Sequence, residues 1–346
     1  MNYISNAIDL MSDKTVVYWG AGRRLNVFLT EFCIASNRLP LPDYICDSTR
    51  TIEEESIGGV PVISFDEVKK MKAADTIIVM TAGLLDLQAQ VVKSELYYFP
   101  MYHCRAFEVY FYLKEHEQQY EHSLSLLHDK HSREVYQQCL TGVMKGAFWD
   151  QSLYEPSAYF DNDVVGSLGN NERMVFAGAF NGKHIDRMLL SNSAVKVEAF
   201  EPSSRWSAYL RDKFSANKNV NIHNKILWNQ YEDLAFLEDE GNGGLDAHVG
   251  KGGGDSTVQG VPIDDYIDGP VTHIALDVEG SEQYVLKGAE LTIARDRPKL
   301  TICLYHSMDD FINIPILINE MSKGDYKLHV KQHSCITAIE TVLYAV

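Results

Sequence analysis

Basic charge is the first thing this sequence is short of: 31 Lys and Arg stand against 48 Asp and Glu, for a formal net charge of −17 over 346 residues. Binding along a phosphate backbone draws on clustered Lys and Arg, so nucleic acid is not the expected partner. Long apolar runs are missing too. No uncharged stretch approaches the roughly twenty residues of a membrane-spanning helix, and the start Met1-Asn2-Tyr3-Ile4-Ser5-Asn6 has neither the basic nor the apolar region of a secretory signal. A soluble cytoplasmic protein without a membrane span is expected. The six cysteines (Cys33, Cys46, Cys104, Cys139, Cys303, Cys335) include no Cys-x-x-Cys pair, which removes the usual zinc and thiol-exchange motifs and leaves small buried hydrophobes. His103, His116, His122, His128 and His131 form no His-x-x-x-His repeat with a carboxylate. Solvated helix faces explain them better than metal binding, and no metal is expected.

What is present is ordinary globular composition, 45% hydrophobic and 23% charged, on a chain long enough for two domains. Thr15 to Trp19 form a β-rich run ending in Gly20-Ala21-Gly22-Arg23. A helical pattern follows, then Tyr44-Ile45-Cys46-Asp47, Gly59-Val60-Pro61-Val62-Ile63 and the strand-like Thr76-Ile77-Ile78-Val79-Met80. Such alternation implies a parallel sheet. The Gly-x-Gly lacks the third glycine of the dinucleotide fingerprint, so a tight turn and a ligand site both remain open. From about Lys14 to Ala82 the chain resembles the Rossmann-like domain found beside sugar-modifying methyltransferases and acyltransferases. That resemblance implies a nucleotide or nucleotide-sugar cleft at Gly20, Gly22, Arg23 and Asp47, or a vestige of one. Residues 1–105 are assigned to this lobe and 106–165 to a helical connector, with Asp129 near a helix cap.

Residues 166–346 carry the clearest pattern. Apolar runs recur at Val175–Phe180, Val195–Phe200, Val220–Leu227, His273–Val278, Leu300–Tyr305, Tyr326–Val330 and Thr337–Val346. The last two are too close for an intervening helix and predict an antiparallel hairpin. An α/β fold of two Rossmann-like lobes follows, the second a mostly parallel seven-stranded sheet of class I methyltransferase type with that terminal hairpin. Open α/β sheets bind ligands beyond the carboxyl ends of their strands. The first run enters Gly178-Ala179-Phe180-Asn181-Gly182, and Glu201-Pro202-Ser203 follows the second. A glycine turn followed by a strand-terminal carboxylate suits a nucleoside cofactor, the acid accepting from ribose hydroxyls. The stretch Gly241 to Gly260, with eight glycines in twenty residues, is expected to be a lid or substrate loop, because it lacks the Gly-Lys-Ser/Thr ending of a P-loop.

The set Ile274-Ala275-Leu276-Asp277-Val278-Glu279-Gly280-Ser281-Glu282, Leu286-Lys287-Gly288-Ala289, Arg297-Pro298-Lys299-Leu300, Leu304-Tyr305-His306 and Glu340-Thr341-Val342-Leu343-Tyr344 resembles the FkbM family of methyltransferases over roughly residues 130–346. The resemblance implies S-adenosylmethionine as cofactor and methyl transfer to a hydroxyl of a glycan, nucleotide-linked sugar or natural product. A homo-oligomer is compatible with it. Gly178, Ala179, Phe180, Asn181, Gly182, Glu201, Pro202, Ser203 and Asp277 are expected to bind the cofactor, with His306, Asp277 and Glu279 catalytic. Asp277 and Glu279 have three readings: holding the cofactor's amino group, acting as base, or binding a divalent cation with Glu282. His306 is the candidate base, because free imidazole titrates near neutrality, with a buried structural histidine as the alternative. Two positions depart from the family pattern: Phe176 replaces an acid and Ala275 a frequent lysine. Phe176 motivates the competing reading of a weak or inactive methyltransferase-fold scaffold.

Overall fold

The computed structural model describes residues 8–9, 11–20, 25, 28–47, 56–80, 97–99, 104–145, 151–156, 159–160, 163–237, 248–249, 256–334 and 340–346. Two compact units compose it: Met1–Glu115 with Leu140–Phe148, and His116–Cys139 with Trp149–Val346. The span 106–165 is therefore divided between them. The helix Cys104–Glu115 runs into it and the helices Glu117–Leu126 and Lys130–Lys145 lie within it, the last begun by Asp129, which accepts from the Ser132 backbone N–H at 2.7 Å.

In the first unit β1 (Thr15–Trp19), β2 (Tyr44–Cys46), β3 (Ser56–Ile57), β4 (Val60–Ile63), β5 (Thr76–Met80) and β6 (Tyr97–Phe99) pair in the order β3-β4-β2-β1-β5-β6. All neighbours are parallel except β3 and β4, which turn through Gly58 and Gly59 at φ 59° and 82°. That conformation suits a two-residue hairpin and favours glycine. Val17, Trp19, Cys46, Ile78 and Val68 bury together, and Phe65 stacks on Trp19 at 4.1 Å. The helix Phe65–Val68 starts on a capping box between Ser64 and Glu67. The Gly20 N–H donates to the Cys46 carbonyl at 2.8 Å, tying it to the chain just before Asp47. Gly22 and Arg23 of the expected N-terminal cleft lie outside the described residues.

The second unit contributes β7 (Arg173–Ala177), β8 (Lys196–Phe200), β9 (Val220–His223), β10 (Ile226–Leu227), β11 (Glu232–Leu237), β12 (His248–Val249), β13 (Ser256–Val261), β14 (His273–Leu276), β15 (Lys299–Cys303), β16 (Leu328–Gln332) and β17 (Thr341–Ala345). Seven of these form one sheet in the order β16-β17-β15-β14-β7-β8-β9. The five strands β15, β14, β7, β8 and β9 run parallel, and β17 returns antiparallel between β15 and β16, as the spacing predicts. Chain order reverses between β7 and β14, so a crevice opens at their carboxyl ends.

One part of the sequence reading needs correction. The run Val220–Leu227 is two strands: β9 ends at His223, and Ile226-Leu227 joins a separate sheet, β10-β13-β11-β12. This sheet has its own apolar cluster of Ile226, Trp228, Leu234 and Phe236. The described parts of the glycine-rich segment, His248–Val249 and Ser256–Gly260, are strands of that sheet, so they are not loop; the remainder lies outside the described residues. Gly260 is needed there, since a Cβ would come within 2.9 Å of Leu234 and 3.0 Å of Trp228.

Beneath the crevice Glu198 of β8 is only 5% exposed. It accepts from Arg173 at 2.8 Å, from Asn221 at 3.1 Å and shares a hydrogen bond with His223 at 2.9 Å. Burial opposes its charge, but these partners outweigh burial and hold the carboxyl down to about 2. A depressed carboxyl stabilises the fold in full above its unfolded pKa of about 4.3, and that contribution is lost as pH falls through the folded value. Glu198→Gln should cost on the order of 2–3 kcal/mol at neutral pH and flatten the acid-side fall of the urea midpoint. Equal acid slopes in the two proteins would contradict this.

Candidate active site at the strand ends

The crevice is lined first by the turn after β7. Gly178 has φ 84°, and a Cβ there would lie 1.9 Å from the Asp277 carbonyl oxygen. Gly182, at φ 74°, precedes the helix Lys183–Ser191, and a Cβ would meet Leu210 and Phe214 at 2.8 Å. Both glycines are thus required by protein packing: the missing side chains make room for the neighbouring strand end and helix. Between them Ala179 is buried, and Asn181 accepts through its side chain from the Lys183 N–H at 3.0 Å. Phe180 takes φ 43°, a left-handed conformation costly for a residue with a Cβ.

Glu201, at the end of β8, is 6% exposed. One carboxylate oxygen accepts from the Phe180 N–H at 2.7 Å and the other from the Ser203 N–H at 2.9 Å. It holds the glycine turn against β8. Ser203 caps the helix Ser204–Lys213, its hydroxyl accepting from the Trp206 N–H at 3.3 Å. The Pro202 carbonyl accepts from Asn224 at 2.8 Å. Ser203 and Pro202 therefore shape this wall.

The opposite wall is built on Asp277, directly after β14. Its Oδ2 accepts from the Tyr159 hydroxyl at 2.9 Å and its Oδ1 from the Tyr305 hydroxyl at 3.1 Å. The chain then turns through Glu279 at φ 52° and Gly280 at φ 93°. This turn carries the Glu279 carboxylate back towards His306, which follows β15: His306 Nε2 lies 3.3 Å from Asp277 Oδ1 and 3.5 Å from Glu279 Oε2. Glu282 folds onto its own loop, accepting from the Val278 and Gly280 N–H groups at 3.0 Å each. It also pairs with His306 Nδ1 at 2.8 Å. Asp277, Glu279 and His306 each offer a ligating atom, all within 4.8 Å of one another.

Charge decides what His306 can do. Burial disfavours its cationic form, but Asp277 and Glu282 outweigh burial and push the imidazole up to about 11. A histidine charged at neutrality is no poised base, so the titration argument for that role fails in this environment. Burial and Glu282 likewise raise Asp310 to about 6, and burial with Asp277 raises Glu340. Sequence reasoning missed Tyr159, which sits 118 positions from its partner Asp277 in a segment with no motif. Tyr305 was visible only as part of the family pattern.

The two departures are neighbours. Phe176 of β7 pairs in register with Ala275 of β14, and both are fully buried. The Phe176 ring lies 5.8 Å from His184 and 6.3 Å from both Tyr159 and Phe160. A separate cavity lined by His128, His131, Glu155, His329 and Lys331 opens beside β16. Lys331 there is paired with Glu155 and Asp163.

Residues 177–329 match the family described as the methyltransferase FkbM domain. Comparison with curated proteins finds no match. Among solved structures, the methyltransferase FkbM of Methylobacillus flagellatus is 18% identical, with a TM-score of 0.66 covering 99% of this chain and 93% of that one. More distant are an rRNA methylase of Streptococcus thermophilus (14% identical, TM-score 0.34, 52% and 87% covered) and the fibrillarin of Aeropyrum pernix, solved with S-adenosyl-L-methionine (12%, 0.34, 52% and 69%). Among the described residues no helix is long and apolar enough to cross a membrane.

Because the space at Gly178 is occupied by backbone, which cannot swing aside, Gly178→Ala should lower stability by more than about 2 kcal/mol. Thermal unfolding measures this, and a change within about 0.5 kcal/mol would show that the two strand ends are not packed as described.

Proposed function

We propose that this chain, whose residues 177–329 match the methyltransferase FkbM domain, is an S-adenosylmethionine-dependent methyltransferase and that it methylates a hydroxyl oxygen of a glycan, nucleotide-linked sugar or natural-product acceptor. The observation that carries the reading is the convergence of Asp277, Glu279 and His306 across the crevice from Glu201 and the Gly178–Gly182 turn. The donor set suits the cofactor: the Glu201 carboxylate at the end of β8 is an acceptor of the kind that binds ribose hydroxyls, and the acidic wall suits a cationic sulfonium and ammonium. When bound, the cofactor supplies an electrophilic methyl group on sulfur.

The chain's own part is alignment and proton handling, as an in-line displacement requires. Glu201 fixes the nucleoside at the end of β8. Gly178, Ala179, Phe180, Asn181 and Gly182 form the turn beneath the methionyl portion, with Pro202 and Ser203 beside the ribose. Tyr159 and Tyr305 clamp Asp277 by its two oxygens, which fixes the side chain at the junction of cofactor and acceptor. Glu279, whose side chain is 35% exposed, faces the acceptor with His306 behind it. In the first unit Gly20 and Asp47 border the strand ends where an acceptor's nucleotide portion would be recognised.

The alternative of an inactive scaffold rests on Phe176. The register weakens it, because the two positions that depart from the family pattern are adjacent in the sheet and both buried. In this chain a large and a small apolar residue lie side by side there, both fully buried, which packs the base of the turn.

Calorimetric titration with S-adenosylhomocysteine tests the cofactor claim. Glu201→Ala should weaken binding about 10- to 100-fold, the worth of losing hydrogen bonds to a charged acceptor. Wild-type protein that is folded yet binds neither S-adenosylhomocysteine nor S-adenosylmethionine would refute the reading.

A further inference from the structure

We propose that Asp277, Glu279 and His306 bind a divalent cation of the zinc class, and that this ion takes the acceptor's hydroxyl oxygen as its fourth ligand. The second half of this inference rests on the methyl-transfer reading; the cation site itself does not.

Three observations carry it. The His306 side chain is only 6% exposed, and its Nε2 is buried without a hydrogen bond while aimed between two carboxylates. Its other nitrogen is paired with the fully buried Glu282, whose second oxygen is fixed by the Gly280 N–H. A histidine held through one nitrogen by a carboxylate, with the other presented towards acids, is the arrangement that orients metal-ligating imidazoles. The distances agree as well. Ligands about 2.0–2.1 Å from a tetrahedral ion stand roughly 3.3–3.4 Å apart, and the observed separations from Nε2 are 3.3 and 3.5 Å.

One nitrogen and two carboxylate oxygens fit zinc or a similar first-row ion better than magnesium or calcium, which prefer oxygen alone. The sequence reading had offered Glu282 as a third oxygen ligand and favoured no metal. The fold places Glu282 behind the histidine instead and brings His306 forward as the ligand. Glu279, the most open of the three, leaves a side from which a hydroxyl can approach. Coordination makes that hydroxyl more acidic, and binding of the ion displaces the Nε2 proton to solvent.

Cobalt(II) is the probe, since tetrahedral cobalt absorbs strongly in the visible. Full-length protein, stripped with a chelator and dialysed, should develop these bands saturably at one equivalent. Glu279→Gln should weaken binding at least 10-fold, His306→Gln should abolish the bands, and Asp212→Asn, a distant surface change, should leave them unchanged. Glu279→Gln keeps the test decisive if the buried His306 variant misfolds, with circular dichroism reporting the fold of each. No saturable band in wild-type protein, or equal binding by Glu279→Gln, overturns the cation site. S-adenosylhomocysteine titration in parallel separates the two claims: its failure beside intact cobalt bands sinks the methyl-transfer reading and with it the acceptor's place on the ion.

Discussion

The contact on which the site depends is the close approach of two backbones, Gly178 against the carbonyl of Asp277. β7 and β14 are the strands between which the chain order reverses, so their carboxyl ends must separate enough to form a crevice yet remain hydrogen-bonded up to it. The Asp277 N–H still donates to the Ala177 carbonyl at 3.1 Å, and the next residue along β7 has no side chain. Asp277 is thereby held at its backbone by one wall and at its carboxylate by Tyr159 and Tyr305. Everything that converges on it, including Glu279 and His306, inherits that position. The left-handed backbone of Phe180, Glu279 and Tyr159 is concentrated around the same point, where packing and hydrogen bonds offset a cost of about 1–2 kcal/mol per residue.

Much of this fold was legible because strand runs and their polar endings share one physical cause. Buried parallel strands are apolar until they emerge, and the residues at which they emerge face the crevice. Asp277, Glu201 and the glycine turn were found that way. The small second sheet was not, because Val220–Leu227 reads as one run and the break at Asn224 depends on a tertiary contact, its side chain donating to the Glu201 and Pro202 carbonyls at 3.0 and 2.8 Å. Roles were harder still. Residue type suggested a neutral, titrating His306, whereas Asp277 and Glu282 outweigh its burial and raise its pKa. Glu282, one of the residues weighed for a cation, is folded by the Gly280 turn onto the amides of its own loop.

Phe176 and Ala275 illustrate the same distinction. Read along the chain they are two separate departures from a pattern, 99 residues apart (275 − 176). In the sheet they are register partners, both fully buried. The base of the glycine turn is apolar in this protein, and the carboxylates stand on either side of it, Glu201 at the end of β8 and Asp277 after β14.

The central claim is that the second unit's crevice holds the methyl donor. Ultraviolet cross-linking of the full-length chain with S-adenosylmethionine radiolabelled on its methyl group, followed by peptide mapping, addresses it most directly. Label should fall on peptides spanning residues 173–206 or 273–306 and should disappear with excess S-adenosylhomocysteine. Label confined to residues 1–115, or insensitive to that competitor, would contradict it.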